Sequence, residues 1–337
     1  MRSMRVPAIL LSITLLGGLV SAQIQPSATL PSAGQQASGS PVPPEVKPAN
    51  GGGAPDDQAV QTFRKGVQEV NVFFTVTDKH GKFVKDLQRD QFRILDNNKP
   101  PKQIKDFAAQ TDLPLRVGLL IDASNSIRDR FLFEQEAAIE FLNQIVRPKS
   151  DKAFVLAFDE VPDLHQDFTN DLQKLTKGVR GIRPGGGTAM WDAVYYACRD
   201  KLMKEPADGP VRRAIVLVSD GDDNQSRALR QEAIDMAQKA GVIVYTISTN
   251  LSNIKDSGDK NLKLLAEATG GRPFYPFKIQ DLSDAFTEIQ GELRSQYFIA
   301  YTPEDFEANG QYRPIEIVPE NKKLRVRAKK GYFAARQ

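Results

Sequence analysis

The sequence predicts an α/β fold in which a mostly parallel sheet is covered by helices on both faces. Three observations carry that expectation. From about residue 114 to residue 293 the chain alternates short apolar runs with longer amphipathic ones, the pattern of strands wound with helices. The apolar runs, such as Val117-Gly118-Leu119-Leu120-Ile121 and Ile215-Val216-Leu217-Val218, lack polar alternation, so both faces of each strand should be buried. Both runs end in acidic and hydroxyl residues, where open sheets of this kind bind ligands.

Each element follows from its own pattern. Strands are expected at Arg116–Ile121, Ala153–Phe158, Ala214–Ser219 and Val242–Ser248. Helices are expected at Phe131–Val146, Thr188–Leu202, Arg227–Ala240 and Leu262–Thr269. The last of these meets Gly270-Gly271, which reads as a glycine C-cap. Before this unit, residues 61–113 hold β-branched and aromatic runs at Val70–Thr77, Phe83–Val84 and Phe92–Leu95, which read as strands. After it, residues 294–337 hold strand-like runs at Tyr297–Tyr301, Arg313–Val318 and Lys323–Ala328. Neither flank is long enough to bury a core comfortably alone, so the two are expected to pair into one β unit.

The amino terminus predicts export. Arg2 and Arg5 precede an apolar run from Val6 to Val20, and Ser21-Ala22 closes it with small residues. Residues 1–22 thus read as a signal peptide, with an uncleaved signal anchor as the alternative. Residues 23–60 are rich in Pro, Gly and Ser and read as a disordered linker. The mature chain should then be secreted or periplasmic, with no transmembrane segment.

Composition removes several functions. The 337 residues carry a net charge of +3, which gives no case for nucleic-acid binding. One cysteine, Cys198, excludes an intramolecular disulfide. Two histidines, His80 and His165, are too few for a His-rich zinc site. Neither histidine has a Ser or Cys partner in a recognisable catalytic order, so nucleophilic catalysis is unsupported.

The chemistry concentrates at strand ends. The first central strand runs into Asp122-Ala123-Ser124-Asn125-Ser126. One carboxylate and two hydroxyls at alternate positions can converge on one point, and oxygen-only ligands suit a hard cation, magnesium or calcium. By itself this motif is also ordinary turn and N-cap chemistry. Two more segments add to it. Thr188 follows Gly185-Gly186-Gly187 at the start of a helix, and Asp220 lies in Ser219-Asp220-Gly221 at the end of another central strand.

Together, Asp122, Ser124, Ser126, Thr188 and Asp220 resemble the von Willebrand factor A (VWA) domain family. The resemblance covers about residues 113–293 and implies a Rossmann-like fold with a metal-ion-dependent adhesion site (MIDAS). It implies that Ser124, Ser126 and Thr188 bind the ion directly and that Asp122 and Asp220 often act through water. The ion would be Mg2+, with Mn2+ or Ca2+ as alternatives. Two carboxylates and three neutral hydroxyls offset a divalent ion's charge less than a carboxylate-rich cage would, so a protein ligand supplying an Asp or Glu carboxylate could fill an open position. An adhesion or assembly role follows, without enzymatic activity.

The flanks extend the resemblance. Val72 to Leu95, with V-T-D-x-x-G and D-x-F, and Leu293 to Phe333, with L-R-S-Q-Y and R-V-R-A-K-K-G-Y, look like those of exported bacterial VWA proteins of Acidobacteria type. Two other readings stay open: a metal-free structural scaffold, and a metal-dependent hydrolase. The hydrolase lacks an evident general base beside the site.

Other residues have plainer readings. Asp222, Asp223, Asp159 and Glu160 read as solvated acidic turns. Asp192 reads either as a group behind the metal ligands or as a helix-start carboxylate. Trp191 and Tyr195 read as core, and Cys198 as a small buried hydrophobe. The run Lys322 to Lys330 reads as a charged edge strand, with contact to anionic envelope polymers as the sharper alternative.

Overall fold

The computed structural model describes residues 69–109, 113–125, 131–206, 209, 211–250, 256–276, 278 and 281–334. The signal peptide and linker expected over residues 1–60 lie outside the described residues, as does Ser126. Among the described residues no helix is long and apolar enough to cross a membrane.

In chain order the strands and helices are β1 (Val70–Thr77), β2 (Phe92–Asp96), β3 (Gln103–Ala109), β4 (Leu115–Asp122), α1 (Phe131–Ile145), β5 (Lys152–Phe158) and β6 (Pro162–Thr169). Then come α2 (Leu172–Gly181), α3 (Met190–Tyr196), β7 (Arg212–Ser219), α4 (Arg230–Lys239), β8 (Val242–Ser248) and α5 (Ser257–Thr269). The chain closes with β9 (Pro273–Phe274), α6 (Asp281–Leu293), β10 (Tyr297–Thr302), β11 (Tyr312–Pro319), β12 (Arg325–Ala328) and β13 (Gly331–Phe333). Helix α3 runs on into a wider π-helical segment, Ala197–Leu202.

The central sheet has six strands in the order β6-β5-β4-β7-β8-β9. Strands β5, β4, β7, β8 and β9 are parallel, and β6 adds an antiparallel edge. All eight residues of β4 are buried, because helices cover both faces. On one face Leu115, Val117, Leu119 and Ile121 pack with Phe141 and Leu142 of α1, Val179 of α2 and Phe286 and Ile289 of α6. On the other, Leu120, Leu156, Ile215 and Leu217 pack with Val194 of α3, Ile234 of α4 and Leu262 of α5. This is the doubly covered sheet that the uninterrupted apolar runs require.

The flanking segments form antiparallel sheets that draw strands from both ends of the chain. One has the order β12-β1-β10-β3 and the other β13-β11-β2. Phe74, Phe92, Phe107 and Tyr297 form their aromatic centre, with Phe74 and Tyr297 stacked at 5.3 Å between ring centres. Strand β12 is an edge, so its basic residues occupy a position where charge discourages further strand addition. One of them turns inward. Arg327 pairs with Glu292 at the end of α6, a carboxylate with no exposed side-chain surface. The Tyr245 hydroxyl of β8 donates to the same carboxylate at 2.9 Å. This ion cluster joins the flanking sheet to the last helix and to the central sheet.

Several expectations shift. The helix expected from Thr188 starts at Met190, since Thr188 and Ala189 are held in the preceding loop. Phe83–Val84 makes only an isolated bridge, Thr77 to Phe83, rather than a strand. Strands β3 and β6 and helices α2 and α6 were not foreseen as elements. Strands β3 and β6 lie at sheet edges, β3 mostly exposed and β6 mostly half-exposed, so their apolar period is weak. The glycine C-cap stands: Gly270 closes α5 at φ +88°.

Candidate metal centre

The centre begins where β4 ends. Pairing with β5 and β7 on either side carries Asp122 to the carboxyl edge of the sheet with no exposed surface. Its Oδ1 accepts the backbone N–H of Ser124 at 2.9 Å, and its Oδ2 accepts the hydroxyl of Ser219 at 2.6 Å. The Ser124 hydroxyl also hydrogen-bonds this carboxylate. Burial pushes the Asp122 carboxyl up to about 6, the charge of Asp220 pushes the same way, and the three hydrogen bonds oppose both.

Asp220 is the first residue beyond β7. It is half-buried, and its Oδ1 accepts the N–H of Asp222 at 3.1 Å. Gly221 follows at φ +83°, and a Cβ there would lie 2.3 Å from the carbonyl oxygen of Gly258. Only glycine turns the chain there against α5.

Thr188 reaches the crevice through its loop. Its N–H donates to Asn224 Oδ1 at 3.0 Å, and its carbonyl accepts the N–H groups of Asn224 and Gln225 at 3.0 and 3.1 Å. Upstream, the Gly185 N–H donates to the Ala123 carbonyl at 2.7 Å, and the Asn125 amide donates to the Gly186 carbonyl at 3.3 Å. Downstream, the Ala189 N–H donates to the Asp159 carbonyl at 2.6 Å. The loops after β4, β5 and β7 are thus stitched to the glycine-rich loop, and buried Thr188 sits among them. The structure thus sets Ser124 and the charge of Asp220 beside Asp122, and it ties the Thr188 loop to the segment after β4 through backbone bonds. Ser126 falls outside the described residues.

A family profile adds to this geometry: that of the von Willebrand factor type A domain matches residues 117–292. The chain belongs to this family. The matched segment ends before the carboxyl-terminal flank and starts after the amino-terminal one, so the likeness to Acidobacteria-type proteins lies outside it. No curated protein matches the sequence. Solved structures that it resembles include the vWF domain of the type V pili tip protein Mfa5 from Porphyromonas gingivalis. That domain is 17% identical, with 53% of this chain and 94% of that one covered and a TM-score of 0.45. A von Willebrand factor type A protein from Catenulispora acidiphila is 14% identical, with 81% and 74% covered and a TM-score of 0.48. Proximal thread matrix protein 1 from the mussel byssus is 14% identical, with 59% and 49% covered and a TM-score of 0.47. The chain thus spans about half the length of the mussel protein.

The donor set of the VWA crevice fits a hard cation. All its side-chain donors are oxygens. Burial and the neighbouring charge of Asp220 both disfavour the ionised form of Asp122, against the hydrogen bonds from Ser124 and Ser219. A divalent ion would relieve both penalties. Among the described residues no group of three or more His, Cys, Asp or Glu gathers as a metal cage. A site here would therefore depend on hydroxyls.

Residues that the motifs did not single out do much of the positioning. Ser219 bonds Asp122 directly, and Asn224 holds the Thr188 backbone. Asp223 accepts the Trp191 N–H at 3.0 Å and the Ser226 hydroxyl at 2.6 Å, so it caps α3 rather than standing free in solvent. Asp192 accepts the N–H groups of Arg227 and Ala228 at 3.1 and 2.8 Å, which fixes the approach to α4. Apart from the Ser226 bond, these roles need partners more than thirty positions away, and no local spacing reveals them. Cys198 is fully buried, and burial pushes its thiol well above its ordinary value.

Proposed function

We propose that this protein binds a protein ligand through a divalent cation held at the Asp122 crevice, in an adhesion or assembly role outside the cytoplasm. The observation that supports this best is the buried Asp122 carboxylate, faced by a second carboxylate and by hydroxyl donors. Membership of the VWA family adds to it. In this reading Ser124, Ser126 and Thr188 supply neutral oxygens, and Asp122 and Asp220 supply the charge. Mg2+ is the ion favoured, with Mn2+ or Ca2+ able to substitute. When bound, the ion offers an electrophilic position that an Asp or Glu of the partner can occupy. The residues' own contribution is rigidity. Hydrogen bonds from Ser124 and Ser219 hold the Asp122 carboxylate in one orientation, and backbone bonds between the glycine-rich loop and the segments after β4, β5 and β7 lower the ordering cost at binding.

A second reading is a metal-free scaffold. Both Asp122 oxygens already accept hydrogen bonds, so the crevice is stable in its own right. Thermal melts separate the two. Mg2+ at a hundred times its dissociation constant should stabilise the native state by about 2.7 kcal/mol. That is a rise of several degrees in the melting midpoint. Ser124→Ala should erase the rise. An unchanged midpoint in the unmodified protein, with no heat of Mg2+ binding, favours the scaffold.

A further inference from the structure

The loop that begins with Asp220 after β7 folds back on the segment that carries Thr188. The Thr188 N–H donates to Asn224 Oδ1 at 3.0 Å, and the Asn224 N–H donates to the Thr188 carbonyl, also at 3.0 Å. One residue thus engages both backbone polar groups of Thr188. The Trp191 N–H on Asp223 and the Ala228 N–H on Asp192 continue the same seam along the start of α3. Thr188 and Asp220 therefore belong to two loops that are bonded to each other as one body.

Packing leaves no slack at this point. A Cβ at Gly187 would lie 2.8 Å from Asn224 Oδ1 and 2.7 Å from Gln225 Cγ, so the Asn224 amide presses on the backbone just before Thr188 as well as bonding to it. Asn224 is exposed, whereas Thr188 is buried. Among the described residues the Asn224 side chain makes its hydrogen bond to Thr188. Its contribution is to the placement of Thr188 and not to the hydrophobic core.

Placement matters because the two common hard cations differ in what they tolerate. Mg2+ demands near-ideal octahedral geometry with oxygens at about 2.0–2.1 Å, whereas Ca2+ accepts flexible arrangements at about 2.3–2.6 Å. Cavity size and ligand flexibility therefore decide between them. On the side of β4, Asp122 is held by Ser124 and Ser219. On the opposite loop, the side-chain group that holds Thr188 is the Asn224 amide.

We propose that Asn224 is a positioning residue that sets the preference of the crevice for Mg2+ over Ca2+. It does not touch the ion. By clamping the Thr188 backbone it keeps the site from widening to the longer bonds of Ca2+. This inference rests on the crevice being a cation site.

The test is calorimetric titration of the full chain with MgCl2 and with CaCl2, read as the ratio of the two affinities. The unmodified chain should bind Mg2+ more tightly. Asn224→Ala should weaken Mg2+ roughly tenfold, the lower end of what loss of a residue supporting a metal ligand costs. It should leave Ca2+ within about twofold, since the larger ion tolerates a displaced oxygen. Gly187→Ala, whose Cβ pushes Asn224 Oδ1 away without removing it, should move the ratio in the same direction. Gln225→Ala keeps the backbone bond from Gln225 to Thr188 and should leave the ratio unchanged. Circular dichroism checks that each variant is folded, and should Asn224→Ala fail to fold, Gly187→Ala decides. Equal weakening of both ions by the folded variants overturns the proposal, because a merely structural role does that. Undiminished Mg2+ binding overturns it too, and so does an unmodified chain that binds the two ions equally. No binding of either ion to the unmodified chain overturns the cation site itself and this inference with it, so the two failures are told apart by the unmodified chain.

Discussion

The hydroxyl of Ser219 donates to the buried carboxylate of Asp122 at 2.6 Å, joining the carboxyl ends of two adjacent parallel strands. Ser219 is not among the candidate ligands, yet it fixes the orientation of the residue at their centre. Ser219→Ala removes a charge-assisted hydrogen bond inside the fold and should cost roughly 1–3 kcal/mol in urea unfolding. The variant should keep the Mg2+-dependent rise in melting midpoint that Ser124→Ala loses. If both variants lose it equally, Ser219 belongs among the groups that hold the ion.

Glu292 is the joint between the VWA unit and the flanking sheets. Its carboxylate has no exposed surface and meets Arg327 of β12 and the Tyr245 hydroxyl of β8. Glu292→Ala leaves Arg327 without its buried counter-charge, a loss of roughly 3–5 kcal/mol. Glu292→Gln keeps an acceptor for Tyr245 and should lose less. The comparison is made by guanidinium denaturation, and equal losses in the two variants would show that the charge contributes nothing.

Asp151 makes stability depend on acid. Its side chain is about 1% exposed and lies between Arg147 and Arg294 at 3.0 and 2.7 Å. Burial raises this carboxyl, but hydrogen bonds from Arg147 and Arg294 outweigh it and hold the group below its ordinary 3.8. The folded chain therefore binds this proton more weakly than the unfolded chain does. The stabilisation is fully present above about pH 5 and fades as pH falls through the unfolded value and then the folded one. Asp151→Asn should flatten that acid limb and lower stability near neutrality by about 1–3 kcal/mol. A limb of unchanged slope would assign the acid sensitivity to other carboxylates.

What the chain's own pattern determined is the layered sheet and the string of oxygen-bearing residues at its edge. Burial on both faces forces unbroken apolar strands such as Leu115–Asp122 and Arg212–Ser219, and that signal is local, so it survives in the linear sequence. Asp122, Ser124 and Asp220 follow such strand ends and Thr188 follows a glycine run, but the full set with Ser126 was legible only through its resemblance to the VWA family. Tertiary structure alone decided what holds them: Ser219 against Asp122, Asn224 against Thr188, Asp223 against the start of α3. It also decided that Arg327 turns inward to Glu292 while its neighbours stay on an edge. These are pairings across long stretches of chain. Their energies depend on desolvation and on charges brought close by folding, and neither quantity exists until the strands are assembled.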